Sequence, residues 1–122
     1  GVGSEGSFLG GELKLREIQA KSPRLLEAQM EAGQILSARA AAKQGTWAKA
    51  GTYWQNLALR LRSLNPKPIE YFEAWYQAAL CFKADGKATL AKQTLGGVMR
   101  LSPQVGNPDM KAKYADLLGT IK

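Results

Sequence analysis

An all-α fold built from antiparallel helical hairpins, about five to six helices in all, is what this sequence predicts. Three observations carry that prediction. Apolar residues recur at alternating spacings of three and four, the period of one helix face. Glycine and proline fall at the breaks between those stretches, where helices stop and start. A shift of 41 residues superposes one helix pair on another. No run of alternating apolar and polar residues marks a strand. The 122 residues amount to one domain, and a chain of that length buries about two-thirds of its unfolded surface without metal or disulfide.

Residues 1–10 read as a flexible linker, because Gly1 to Gly11 holds five glycines with Ser4 and Ser7 and gains too little from burial to offset the entropy of ordering. Residues 11–122 read as a single helical domain. Its first helix spans about Gly11 to Ala20, with Leu15 and Ile18 on one face, and ends before Ser22-Pro23, a cap followed by a first-turn proline. The second opens there, turns Leu26, Met30, Gly33, Leu36 and Ala40 inward, and closes at Gln44-Gly45, where glycine can take the left-handed conformation. The third begins at Thr46 and has the clearest period, with Trp47, Ala50, Trp54, Leu57, Leu61 and Leu64 on one stripe.

Asn65-Pro66-Lys67-Pro68 ends that helix, since proline lacks the helical donor and disfavours helical geometry in the residue before it. The fourth helix aligns Phe72, Trp75, Ala79 and Phe82 and closes at Asp85-Gly86. The fifth aligns Ala88, Ala91, Leu95 and Val98 and ends at Ser102-Pro103. A sixth starts at the cap and proline pair Asn107-Pro108 and places Met110, Tyr114, Leu117 and Ile121 on one stripe. At this spacing Trp47, Trp54 and Trp75 read as packing, not as a ligand cage.

The 41-residue shift lays Gly45 on Gly86, Trp47 on Ala88, Ala50 on Ala91, Trp54 on Leu95 and Leu57 on Val98, and upstream Ala38 on Ala79 and Ala41 on Phe82. Each unit is a helix, a glycine turn and a second helix. The second unit resembles the tetratricopeptide repeat (TPR): Trp75 stands at its tryptophan, Ala78-Ala79 at its leucine-glycine pair and Phe82 at its tyrosine. Ala91 stands at its alanine, Leu95 at its phenylalanine, Gly86 at its turn and Pro103 at its closing proline. The stretch Gly11, Leu15, Ile18, Pro23 matches the closing half of such a repeat. The 41-residue offset exceeds the family's 34, falls in the range of HEAT-like repeats, and leaves Gln34 where the first full unit would have its tryptophan. The resemblance covers most of the chain. It implies a fragment of right-handed α-solenoid: half repeat 11–23, repeat 24–66, repeat 68–103, and a covering helix 107–122.

That resemblance also implies a scaffold or adaptor that binds a peptide or partner protein in a concave groove lined by the first helix of each hairpin. Carried over residue by residue, the groove positions are Tyr76, Leu80 and Lys83 on the fourth helix and Ile35 and Arg39 on the second, with Lys43 beside them. The cations Arg39, Lys43 and Lys83 beside apolar Tyr76 and Leu80 suit an acidic peptide or a terminal carboxylate, through charge-assisted hydrogen bonds. Taken singly, each cation also fits a solvated helix face.

Composition narrows the alternatives. There are 17 Lys+Arg against 10 Asp+Glu, a net charge of +7, and no histidine. Without histidine there is no Ser-His-Asp or Cys-His site and none of the usual zinc or haem ligation, so no enzyme, metal or cofactor is expected. Cys81, between Leu80 and Phe82, reads as a small buried hydrophobe, and a lone cysteine leaves the redox compartment open. Gly96-Gly97 lacks the spacing and preceding strand of a phosphate loop and reads as close helix packing or a kink. Asp85 and Asp109, at a turn and a helix start, read as partners of backbone donors.

The positive charge makes nucleic-acid binding the rival reading. Its spread argues against that rival, with three positive and three negative in residues 1–22, six against two in 23–66 and eight against five in 67–122. A structural role, including a homo-oligomer joined through the unfinished end at Gly11 to Pro23, is the third. No stretch approaches the roughly 20 apolar residues of a membrane span. The start at Gly-Val-Gly, without methionine or leader, is expected of a piece of a longer protein, so the compartment stays open.

Overall fold

The computed structural model describes residues 23–121, which form five α-helices: α1 Pro23–Ala41, α2 Trp47–Leu61, α3 Ile69–Ala84, α4 Ala88–Leu101 and α5 Pro108–Thr120. The described residues contain no strand, and the class is all-α. The linker, the half repeat and the helix expected over 11–20 fall outside the described residues; α1 to α5 are the second to sixth expected helices.

Helix starts follow their side chains. Thr46 caps α2 by accepting from the Lys49 N–H at 3.1 Å, and Asn107 caps α5 by accepting from the Met110 N–H at 2.8 Å, with Pro108 next in the first turn. Asp85 departs from the expected role. Its carboxylate pairs with Lys87 at 3.1 Å, across the turn after α3.

The two hairpin turns close in one way at different places. After α3, Gly86 takes φ +81, its N–H donates to the Lys83 carbonyl at 3.0 Å, and the Lys87 N–H donates to that of Phe82 at 2.8 Å. This pair of bonds is a Schellman closure. After α1 the left-handed residue is Lys43, at φ 62, not Gly45. Its N–H donates to Ala40 at 3.1 Å, and the Gln44 N–H donates to Arg39 at 2.7 Å. The helix stops early because Ala40 is its last buried residue, so a further turn would bury nothing. Residues 42–46 then connect α1 to α2, whereas residues 85–87 suffice between α3 and α4. Helix α2 likewise ends at Leu61, and Leu64 packs from the turn that follows.

Consecutive helices pack on one another. Helix α3 also meets α1 and α5, α4 meets α5, and the backbones of α2 and α4 stay apart. Helix α3 is therefore central, with Ala74, Ala78 and Ala79 fully buried, and such small residues let several neighbours approach one axis closely. Between α1 and α2 the close approach is at Gly33, where an added Cβ would lie 2.5 Å from the Trp54 ring. Trp54 is fully buried and donates its indole N–H to Ser37 Oγ at 3.0 Å; Ser37 Oγ in turn lies 3.6 Å from Cys81 Sγ. Tyr53 adds a second tie, donating to the Gln29 carbonyl at 2.9 Å.

The loop before α5 sends Val105 into the core with a left-handed backbone, φ 50 and no exposure. Helix α5 then lies along α3, in the same direction, through Tyr114 at Phe72 and Thr120 at Lys83. Gly96-Gly97 reverses its expectation: α4 runs through it unbroken, and a Cβ at either glycine would meet no atom within 4 Å. The pair is open, not tightly packed.

Two substitutions test this packing. Gly33→Ala drives a methyl into the Trp54 ring and is expected to destabilise by about 2 kcal/mol, despite alanine's better helix propensity, read from the urea midpoint. Lys43→Gly relieves a left-handed side chain and is expected to raise stability by about 1 kcal/mol, seen as a higher melting temperature with unchanged helix content.

Candidate functional site

Helix α3 floors two depressions on opposite faces. Leu80 and Ala84 lie two residues either side of Phe82, and Gln77 two beyond Trp75, so each is turned about 200° from its counterpart. On the Gln77, Leu80 and Ala84 face a hollow of about 370 Å³ is bounded by Ser37 of α1, Trp47 at the start of α2, Cys81 and Lys83. On the Tyr71, Trp75 and Phe82 face a groove of about 380 Å³ runs between α2 and α4. The groove exists because α2 and α4 both pack on α3 while their backbones stay apart.

The residues expected in the partner-binding face divide among several places. Leu80 and Lys83 line the hollow. Tyr76 is half-buried under α5: its ring stacks at a tilt on Tyr114, with centroids 6.0 Å apart, and Lys113 Nζ sits 4.6 Å from its centroid. Lys83 is exposed, and its ammonium donates to Thr120 Oγ1 at 2.8 Å. Ile35 and Arg39 are exposed and stand two residues either side of Ser37, about 200° around α1 from the side that meets Trp54 and Cys81. They face away from the hollow. Lys43 lies beyond the end of α1 in the closing turn. The structure thus groups Leu80 and Lys83, caps Tyr76, and puts Ile35, Arg39 and Lys43 elsewhere.

Trp47, which its spacing assigns to packing, and Gln77, to which the sequence assigns no role, both line the hollow. Trp47 opens the α2 stripe, so its spacing alone read as core; it is half-buried and also forms part of the wall. The α2–α4 groove was missed altogether. Its signal was present in Leu90 and Leu101, apolar residues off the buried α4 stripe and 40% and 83% exposed, and in the two mid-helix glycines.

Electrostatics beside the hollow centre on α5. Lys113 bridges to Glu73 at 2.6 Å, and Tyr114 donates to the Phe72 carbonyl at 2.6 Å. Burial pushes the Tyr114 hydroxyl far above its ordinary pKa, with the neighbouring Tyr71 and Glu73 raising it further. Burial likewise raises the Cys81 thiol, against a smaller opposing effect of its Ser37 hydrogen bond. A buried thiol held protonated is a poor nucleophile. Among the described residues no group of three or more His, Cys, Asp or Glu side chains could hold a metal ion, and no helix is long and apolar enough to cross a membrane. No protein-family model, curated protein or solved structure matches the chain.

Tyr114 gives a pH prediction. Above about pH 10 the unfolded chain loses this proton while the folded chain keeps it, so stability falls as pH rises, by up to about 1.4 kcal/mol per unit for this group. Tyr114→Phe is expected to cost about 1 kcal/mol at pH 7 through the lost hydrogen bond and to flatten the alkaline fall, as read by denaturant titrations between pH 8 and 11.5.

Proposed function

We propose that this chain is a protein-interaction module, a TPR-like stack of helical hairpins that binds a peptide or partner protein bearing apolar and acidic groups. The observation that carries this reading is the hollow on α3, lined by apolar Leu80 and Trp47 and by Lys83, whose ammonium is held at its edge by Thr120 Oγ1. A concave apolar surface with few polar groups is the usual form of a recognition site, and an ammonium beside it favours a carboxylate. The contacts of α3 with α1 and with α5, besides those with its chain neighbours α2 and α4, support the repeat reading. Capping of Tyr76 by α5 narrows the partner's footprint to the side of α3 that faces Ser37 and Trp47. Ile35 and Arg39 on the outer face of α1 and Lys43 in the turn beyond it lie outside that footprint.

The test is affinity capture from a native extract with the parent domain, a Leu80→Glu/Lys83→Glu variant and an Ile35→Glu/Arg39→Glu/Lys43→Glu variant. The expected result is a protein retained by the parent and lost by the first variant, with purified partner binding at least tenfold more weakly and helix content unchanged. Loss only with the second variant would move the site to the outer face of α1. Retention of salt-labile nucleic acid alone would replace the reading with the polyanion one.

A further inference from the structure

We propose that the groove between α2 and α4 is a binding site for a small amphiphilic carboxylate, an unbranched aliphatic acid of about ten carbons. The groove is polarised along its length. Phe82 and Leu90 mark one end, and Arg62, Arg100 and Leu101 mark the other. The two arginines share an end because Arg62 caps the C-terminus of α2 and Arg100 lies in the last turn of α4. Both helices run antiparallel to α3 and finish where it begins, as the approach of Gly106, just past α4, to Ile69 and Phe72 confirms.

No carboxylate lines the groove, and neither guanidinium is ion-paired among the described residues. An arginine fork is the side chain best matched to a carboxylate. Trp75, Tyr71, Phe82, Leu90 and Val98 supply the apolar wall.

Two further observations set the occupant's size and show that the space is kept open. Ten residues of α4 separate Leu90 from Arg100, about 15 Å of helix at 1.5 Å per residue, a span that an extended ten-carbon acid covers. The groove's volume of about 380 Å³ is within the range of small-molecule sites. Gly97 lines this space, and its Cβ position meets nothing. A glycine inside a helix destabilises it relative to alanine, and here no close packing accounts for one; any larger residue would project into the groove.

The measurement is calorimetric titration, with tryptophan fluorescence in parallel, of the purified chain with decanoate below its micellar concentration, against decanol and decylamine at matched ionic strength. The expected result is saturable one-to-one binding of decanoate, at least tenfold tighter than decanol, with no binding of decylamine. Arg62→Ala/Arg100→Ala should weaken decanoate at least tenfold and leave decanol unchanged. Gly97→Leu should abolish both while melting at or above the parent temperature, which separates a plugged groove from a misfolded chain. Equal binding of decanoate and decylamine, binding insensitive to Gly97→Leu, or no saturable binding would overturn the assignment. The Leu80→Glu/Lys83→Glu variant should bind decanoate as the parent does, so this site stands or falls separately from the hollow.

Discussion

Everything in this fold depends on the enclosure of one helix. Helix α3 is met by all four of its described neighbours, so no single stripe of it can be given over to water along its whole length. A helix in that position must be apolar nearly all round. Its sequence complies, with Tyr71, Phe72, Ala74, Ala78, Ala79, Cys81 and Phe82 all buried. Size is then sorted by direction. Alanines stand where neighbouring axes come closest, and aromatic rings stand where the gap is wider. The two faces of α3 not fully claimed by packing floor the hollow and the groove, so both candidate sites are by-products of how four helices share one.

The position of α5 changes the meaning of that arrangement. By lying parallel to α3 and fixing Tyr76, Glu73, Phe72 and Lys83 through its own side chains, it takes up surface that an open row of helices would leave to a partner. The same contacts stiffen one wall of the hollow. A preorganised wall loses less conformational freedom on binding than a mobile one, so a smaller footprint need not mean weaker binding.

Helix existence and most boundaries were legible because each depends on local chemistry: spacing of apolar residues, Thr46 and Asn107 as caps, proline and glycine as stops. What was illegible depends on tertiary distance. The turn after α1 contains a glycine, yet the left-handed residue is Lys43, because the helix ends where its burial ends and not where the best turn residue lies. Ile35 and Arg39 map onto Tyr76 and Leu80 by sequence offset, but α1 presents a different side to its neighbours, with Ser37 turned inward. No offset can reveal a rotation of one helix about its axis. Gly96-Gly97 suggested tight packing because glycine so often serves it, and only the splaying of α2 from α4 shows an open space instead.

The hydroxyl of Ser37 joins three helices at one point, accepting from Trp54 of α2 and lying against Cys81 of α3. Most contacts around it are apolar and non-directional, and such contacts tolerate sliding: a helix moved by one turn still meets hydrocarbon. A hydrogen bond does not tolerate it. Were α1 to slip by a turn toward either end, Gly33 or Ala41 would replace the serine and the indole N–H would be stranded in the core, at a cost of about 1–3 kcal/mol. One small polar atom therefore acts as a detent, choosing a single axial register for α1 from several that hydrophobic packing alone would leave nearly equal.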